Sequence, residues 1–453
     1  MRNYYFNLKL IFLSISLMIF SDSCEKNLKQ TVTSSRGKLD ASSINKPNII
    51  FIVGDDIGYE IPTVDGGRTY STPNINALAR EGMRFTECRG APLCSPSRFM
   101  LLTGKYNFRN YTEWGKMDLS QRTIGNMLKN AGYATCYGGK WQLDGGDVSI
   151  RNFGFEKYSV WLPFKVCPEE SESSRYKSSK IYQDGAYLPD SFTSNKYSED
   201  IVSNYLFNFI DSNTSKPFFI YYSMILCHQP FCPTPADPEY DAWVPESGIS
   251  DAAYFPSMVK YMDKKIGMLI NKLKKAGLDS NTVIFYIGDN GTPSKITSLF
   301  QDTSITGAKG STVEYGMHVP LICKWPGQIA AGKINRDLID FTDFLPTLAA
   351  VADIPVPEYG LLDGNSFYPQ LMGLAGLPRN QIFTYFNKRS TCSEKDHISR
   401  YAQDKGYKLY ETGKFYHFKI DLNEIDPLQD STLTPKQKQI KQDLQGILDS
   451  MHN

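Results

Sequence analysis

Asn48-Ile-Ile-Phe-Ile-Val53 is a continuous apolar run, and Gly54-Asp55-Asp56 follows it as a turn. A short run of this kind, rich in β-branched residues, predicts a strand buried on both faces, as in a parallel sheet. The same pattern recurs as predicted strands over 217–226 and 281–287, which alternate with predicted helices over 198–211 and 255–276. Because strands and helices alternate, we expect an α/β fold with a large, mostly parallel sheet flanked by helices on both faces.

The pattern of apolar residues changes near Pro378. Short alternating apolar runs over 382–386, 407–410 and 415–420 predict a small antiparallel sheet, and the amphipathic stretch over 435–451 predicts a helix packed on it. We therefore expect a large α/β domain over 47–377 and a C-terminal α+β subdomain over 378–453.

The first 46 residues have the composition of a targeting segment and a tether. Arg2 and Lys9 accompany an apolar run over 10–20, which is shorter than the ~20 residues a membrane-spanning helix needs but suits a signal peptide. Cys24 follows a small residue, as in a bacterial lipoprotein cleavage site, and ordinary secretion is the alternative. We expect a signal peptide over 1–23, a flexible tether over 24–46, and an exported bacterial protein, periplasmic or at the cell surface, lipid-anchored through Cys24.

The overall composition is that of a soluble globular protein. Hydrophobic residues make up 41% of the 453 residues and charged residues 21%, which excludes collagen-like and coiled-coil chains. The 49 Lys and Arg against 48 Asp and Glu give a net charge of +1, so no global charge recruits nucleic acid or an anionic membrane. Cysteine occurs nine times, an odd number, so at least one cysteine has no partner within the chain.

Oxygen-bearing side chains follow two of the predicted strands. Asp55 and Asp56 come after the first strand, and Asp289 and Asn290 come after the strand over 281–287. The carboxyl ends of parallel strands meet at one edge of a sheet, where these four side chains would hold a hard cation such as Ca²⁺ or Mg²⁺ rather than Zn²⁺. The alternative is that each pair caps a turn.

The most specific segment is Pro92-Leu-Cys94-Ser-Pro-Ser-Arg98-Phe-Met-Leu-Leu-Thr103-Gly104. It resembles the signature of the type I sulfatases of the alkaline phosphatase superfamily, in which a Cys within C-x-P-S-R is oxidised to formylglycine. The resemblance continues through most of the chain, at Thr72 to Gly82, Gly139-Lys140-Trp141, His228, Gly288 to Gly291, and Lys309-Gly310 with Glu314.

This resemblance implies a formylglycine at Cys94, made by a formylglycine-generating maturase, whose hydrate is the nucleophile. It also implies Ca²⁺, in preference to Mg²⁺, held by Asp55, Asp56, Asp289 and Asn290. Arg98 would orient the formylglycine. The remaining implied roles are sulfuryl-oxygen binding by Lys140 and Lys309 and protonation of the leaving alcohol by His228, which also contacts the substrate.

Two positions depart from the family pattern. Gln142 stands where the family usually has His, and it can hydrogen-bond but cannot exchange a proton near neutral pH. Tyr315-Gly-Met-His318 replaces a glycine pair and an arginine, so His318 either compensates for Gln142 or packs behind the loop; we favour packing. We keep Gln142 as a candidate substrate-binding residue.

The resulting hypothesis is an exported sulfatase that hydrolyses sulfate esters, with a sulfated carbohydrate such as a polysaccharide as substrate. One alternative is a phosphonate or phosphate ester hydrolase of the same superfamily. The other is a catalytically weakened glycan-binding lipoprotein. A disulfide between Cys227 and Cys232, which flank His228, is left open.

Overall fold

The computed structural model describes residues 46–113, 115–164, 174–245, 250–388 and 397–451. The predicted signal peptide, the predicted lipidation site Cys24 and the predicted tether up to residue 45 lie outside these residues. Among the residues described, no helix combines the length and the apolar character that crossing a membrane requires.

The strands, numbered in chain order, are β1 Asn48–Gly54, β2 Met83–Arg89, β3 Tyr111–Glu113, β4 Lys116–Met117, β5 Ala134–Lys140, β6 Lys157–Trp161, β7 Ile181–Gln183, β8 Ala186–Tyr187, β9 Phe218–Ser223, β10 Thr282–Gly288, β11 Thr297–Phe300, β12 Thr303–Thr306, β13 His318–Lys324, β14 Lys333–Asp340, β15 Ile382–Asn387, β16 Ile398–Gln403, β17 Lys408–Tyr410 and β18 Phe415–Tyr416.

The α-helices are α1 Pro73–Glu81, α2 Cys94–Thr103, α3 Asn107–Asn110, α4 Ile124–Asn130, α5 Gly146–Asn152, α6 Asp190–Thr193, α7 Ser198–Asp211, α8 Phe255–Lys275, α9 Glu314–Met317, α10 Phe344–Val351, α11 Tyr368–Leu371 and α12 Pro435–Ser450.

The main sheet has ten strands in the order β14-β2-β13-β10-β1-β9-β5-β6-β7-β8. Its centre, β10-β1-β9-β5-β6, is parallel throughout, and antiparallel pairs occur where β13 and β7 join. The registers place Gly54 opposite Gly288 and Val53 opposite Ser223. The carboxyl ends of β1, β9 and β10 therefore meet at one edge of the sheet, which confirms the predicted α/β class.

Alternation along β1 explains the helices on both faces. Ile49, Phe51 and Val53 point into one hydrophobic core, which contains residues of α2, α4 and α10. Ile50 and Ile52 point into a second core with residues of α1, α7 and α8. Since every residue of β1 is buried, the strand reads in the sequence as one continuous apolar run.

A separate four-stranded antiparallel sheet, β15-β16-β17-β18, follows near the C-terminus, with α12 against β16 and β17. This confirms the predicted small sheet and helix, with two differences. Strand β16 has no predicted counterpart, and β18 ends at Tyr416 instead of continuing to Ile420.

Candidate active site

Asp55 and Asp56 leave β1 in a turn that is tied to the ends of the neighbouring strands. Asp55 exchanges two backbone hydrogen bonds with the segment after β9, its N–H donating to Leu226 O (2.8 Å) and its carbonyl accepting from Cys227 N (2.7 Å). These bonds continue the β1–β9 pairing beyond Ser223 and carry His228 to the same edge. The expectation that this edge gathers polar side chains is met.

Asp289 and Asn290 reach the same turn from β10. Asp289 Oδ1 accepts from the backbone N–H of Asp56 (2.9 Å), and Asn290 Nδ2 donates to Asp56 Oδ1 (2.8 Å). Asp289 Oδ2 and Asn290 Oδ1 are buried and have no hydrogen-bond partner among the described residues. Two orphaned buried oxygens in an acidic cluster are what an oxygen-preferring cation would satisfy.

Cys94 is the first residue of α2, and its side chain is almost completely buried. The chain entering the helix is held by Ser97, whose Oγ accepts from Ala91 N (3.0 Å) and donates to Ala91 O (3.1 Å). Cys94 Sγ and one carboxylate oxygen each of Asp55 and Asp289 lie within 4.8 Å of one another. The predicted nucleophile and the predicted metal ligands therefore share one site.

The two lysines are not surface cations. Lys140, at the end of β5, has 0% side-chain exposure, and its Nζ lies 2.9 and 2.8 Å from the two carboxylate oxygens of Asp55. Lys309 is 15% exposed, and its Nζ donates to Asp56 Oδ2 (2.7 Å). The loop that carries Lys309 is linked to the segment before Cys94 by a hydrogen bond from the backbone N–H of Gly310 to Pro92 O (2.8 Å).

Arg98 lies one turn along α2 from Cys94 and is buried beside the cluster. Its Nη1 donates to the backbone oxygens of Lys140 (3.1 Å) and Trp141 (3.2 Å), and its Nη2 lies 3.9 Å from Asp289 Oδ2. Arg98 thus joins the start of α2 to the end of β5, and its charge lies next to the cluster.

His228 is 18% exposed, and its two ring nitrogens have different surroundings. Nδ1 lies 2.6 Å from the carbonyl oxygen of Gln229, and Nε2 lies 3.8 Å from Asp56 Oδ2. Burial, followed by the charges of Arg175, Lys309 and Lys140, lowers the pKa of His228 well below its usual range. The lowered pKa favours the neutral ring at pH 7.

The surroundings shift the pKa values of Asp55 and Asp289 in opposite directions. Burial opposes ionisation of Asp55, but Lys140 and the other nearby cations lower the pKa of Asp55 well below its usual range. Burial, and after it the charge of Asp55, raises the pKa of Asp289 to about 8. A divalent cation bound among these carboxyls would favour the charged form of both, so the residues present fit such an ion.

Gln142 and His318 occupy different surroundings. Gln142 Oε1 lies 3.9 Å from Cys94 Sγ, so the residue that replaces the expected His lies beside the predicted nucleophile. His318 stacks on Tyr59 with ring centroids 4.0 Å apart, its Nε2 lies 2.9 Å from Thr86 O, and its Nδ1 lies 3.3 Å from Glu314. These contacts favour packing behind the loop for His318.

The described cysteines Cys227 and Cys232 are free thiols.

All ten predicted site residues are thus brought to one edge of the sheet. The structure adds Arg175, which the sequence did not single out. Its Nη1 lies 3.5 Å from Asp55 Oδ2, and its guanidinium lies over the ring of Trp161 at 4.1 Å from the centroid. No motif surrounds Arg175 in the sequence, and only the fold brings it to the site.

Comparison with known proteins agrees with this geometry. The family model "Sulfatase" matches residues 47–354, and the model "N-sulphoglucosamine sulphohydrolase, C-terminal" matches residues 309–453. N-acetylgalactosamine-6-sulfatase of Mus musculus is 28% identical over 373 residues, which cover 75% of this chain and 69% of the mouse protein.

Two solved structures share the fold. The structure of BT4656 in complex with its substrate D-glucosamine-2-N,6-O-disulfate has a TM-score of 0.71 at 22% identity and covers 89% of this chain and 98% of that chain. Phosphonate monoester hydrolase of Agrobacterium radiobacter has a TM-score of 0.64 at 19% identity, with 89% and 95% covered. Since the sulfatase model spans more than half of the residues, this chain belongs to the sulfatase family and is a sulfuric ester hydrolase.

Proposed function

We propose that this enzyme is exported and hydrolyses sulfate esters of a sulfated carbohydrate, with formylglycine at position 94 as nucleophile and Ca²⁺ as cofactor. The observation that carries the proposal is the position of Cys94, within 4.8 Å of carboxylate oxygens of Asp55 and Asp289 and on the same sheet edge as the buried Lys140 and the partly buried Lys309.

Position 94 is prepared for a nucleophile by the protein around it. Formylglycine hydrate supplies two hydroxyls on one carbon, one to attack sulfur and one to permit release of the sulfate afterwards. The start of α2 is held by Ser97 and Arg98, so residue 94 has a fixed place opposite Asp55 and Asp289. The overall reaction consumes one water and yields an alcohol and sulfate, with the ester's S–O bond broken.

The cation would be held by Asp55, Asp56, Asp289 and Asn290. Bound there, Ca²⁺ would supply positive charge that polarises the sulfuryl group. The support for this ligand set is its oxygen chemistry together with the two orphaned oxygens of Asp289 and Asn290.

Lys140 and Lys309 stabilise charge on the sulfuryl oxygens in this proposal. Both are fixed by ion pairs with Asp55 and Asp56 and are shielded from bulk water, so their charges need no reorganisation when the reaction begins. Burial opposes the charged form of Lys309, but the charge of Asp56 raises the pKa of Lys309 above its usual range.

His228 donates the proton to the departing alcohol. With Nδ1 engaged by Gln229 O, Nε2 is the nitrogen available to the site. Burial and the surrounding cations favour the neutral ring, and a bound sulfate would offset the charge of those cations and favour protonation of Nε2.

The carbohydrate substrate is supported by a relative named for a sulfated sugar and by a structural neighbour whose title names a sulfated glucosamine. Export and lipid anchoring are supported by the apolar run over 10–20 and by Cys24.

The test is release of inorganic sulfate from sulfated mono- and oligosaccharides, beside the matching phosphate and phosphonate esters. We expect sulfate release by the wild type and none above background by Cys94→Ala. Cys88→Ala, which alters a buried cysteine on β2, is the matched control. Preferential cleavage of the phosphorus esters would contradict the proposal, and binding of sulfated glycans without turnover would favour the glycan-binding alternative.

A further inference from the structure

Arg175 is a cation at the active-site edge, and one nitrogen of its guanidinium has no hydrogen-bond partner among the described residues. Its side chain is 10% exposed, and its Nη1 is buried without a hydrogen-bond partner among the described residues. The acid near it, Asp55, already receives two short bonds from Lys140, at 2.9 and 2.8 Å. The 3.5 Å approach of Arg175 to Asp55 is therefore not needed to neutralise that carboxylate.

The guanidinium is held in place by its surroundings. It lies over the ring of Trp161, the last residue of β6, at 4.1 Å from the centroid. The next residue, Tyr176, is fully buried, and its hydroxyl lies within hydrogen-bonding distance of the backbone oxygens of Ile225 (3.1 Å) and His228. Arg175 is thus fixed beside the segment that carries His228.

A buried guanidinium with an unfilled donor is costly unless something fills it. A planar guanidinium matches the oxygens of sulfate or carboxylate groups better than any other side chain does.

We propose that Arg175 binds an anionic oxygen of the bound substrate, an inference that rests on the proposed sulfatase function. The oxygen belongs either to the sulfate being cleaved or to a neighbouring acidic group of the sugar. In both cases Arg175 is a substrate-binding residue, and it selects for negative charge.

The test compares the wild type with Arg175→Gln, which removes the charge, and with Arg175→Lys, which keeps the charge but not the planar fork. Arg84→Gln is the matched control, because Arg84 makes a partly buried ion pair with the buried Asp65 at 3.1 Å. The substrates are an aryl ester with one sulfate and a sugar with two. Isothermal titration with inorganic sulfate, calcium affinity and the melting temperature complete the measurements.

We expect Arg175→Gln to lower kcat/KM about 10- to 100-fold and to weaken sulfate binding by a similar factor. Arg175→Lys should recover part of the loss, with calcium affinity and melting temperature unchanged. A loss on both substrates assigns the contact to the cleaved sulfate. A loss confined to the doubly sulfated sugar assigns it to the neighbouring group, in which case the weakening of sulfate binding is absent.

If Arg175→Gln has the same kcat/KM as the wild type on both substrates, the inference is wrong. The proposed function would still hold in that case, because the wild type releases sulfate. A fall in calcium affinity and melting temperature that matches the fall in activity would also overturn it, because Arg175 would then be a structural partner of Asp55. A wild type that releases no sulfate from any ester would refute the proposed function and this inference with it.

Discussion

Lys140 shows how a single residue can be both a structural counter-ion and a catalytic candidate. It is fully buried and bonds to both oxygens of Asp55. Without it, Asp55 loses its bonded counter-ion in a place from which water is excluded, and breaking a buried ion pair from one side typically costs about 3–5 kcal/mol.

We therefore expect Lys140→Met to melt at a lower temperature than the wild type in the presence of a chelator. Calcium should raise the melting temperature of the variant more than that of the wild type, because the ion replaces the lost positive charge. Differential scanning fluorimetry with and without Ca²⁺ measures both effects. Lys129→Met, in an exposed pair with Glu156 at 3.7 Å, is the control; an equal calcium response in both variants would contradict the account.

The sequence predicted the position of those site residues that belong to a motif or directly follow a strand. Cys94 and Arg98 share one short motif, and Asp55 and Asp289 each directly follow a strand, so linear pattern and spatial position coincide. Arg175 has no such marker. Its place beside Asp55 is a property of tertiary structure, because no sequence pattern relates the two residues.

Helix α7 supports the active-site edge through Glu199. Glu199 is buried, its Oε2 accepts from the backbone N–H of Ile225 (2.8 Å), and the hydroxyl of Tyr222 donates to its other oxygen. Burial raises the pKa of Glu199 from 4.5 to about 7. Since the folded state binds this proton more tightly than the unfolded state does, Glu199 makes stability fall as the pH rises from about 4.5 to 7.

Glu199→Gln, which resembles the protonated acid, should remove that contribution. The free energy of unfolding of the variant relative to the wild type should rise between pH 4.5 and 7, by up to roughly 1.4 kcal/mol per pH unit. Urea unfolding at several pH values measures this difference. Glu156→Gln, at an exposed position, should show no such trend, and a flat difference for Glu199→Gln would contradict the assignment.

Elements with a strong periodicity were predicted almost to the residue, and those without it were not. Helix α7 has the predicted bounds, and α8 ends at Lys275, just before Gly277, which adopts a left-handed φ of 71°. Strand β16 was missed because Ile398-Ser-Arg-Tyr-Ala-Gln403 lacks regular alternation and is defined by pairing with β15 and β17. The predicted strand over 217–226 ends at Ser223, although hydrogen bonds with Val53 and Asp55 continue the pairing beyond it.

The C-terminal sheet and the α/β part share one hydrophobic core. Phe383, Leu409 and Leu444 belong to the same cluster as Phe51 of β1. Arg379 Nε also lies 2.7 Å from Asp343 Oδ1, across the predicted boundary at 377. The subdomain over 378–453 therefore completes the core of the larger part and should not unfold by itself.

We expect Leu444→Ala to lower the melting temperature of the whole molecule in a single calorimetric transition. The residue is fully buried, and a leucine-to-alanine change in a core costs about 2–5 kcal/mol. Leu377→Ala, at a side chain that is 86% exposed, should leave the melting temperature unchanged. A separate early transition in Leu444→Ala, with sulfatase activity retained above it, would show that the two parts unfold independently.

The central claim is that residue 94 is a formylglycine in the working enzyme. Mass spectrometry of the tryptic peptide Gly90–Arg98, from protein made in its own host or with a maturing enzyme, tests this most directly. The account predicts a peptide in which an aldehyde replaces the thiol of Cys94, in protein that releases sulfate. A thiol at position 94, in protein made under conditions that convert a control sulfatase, would contradict it.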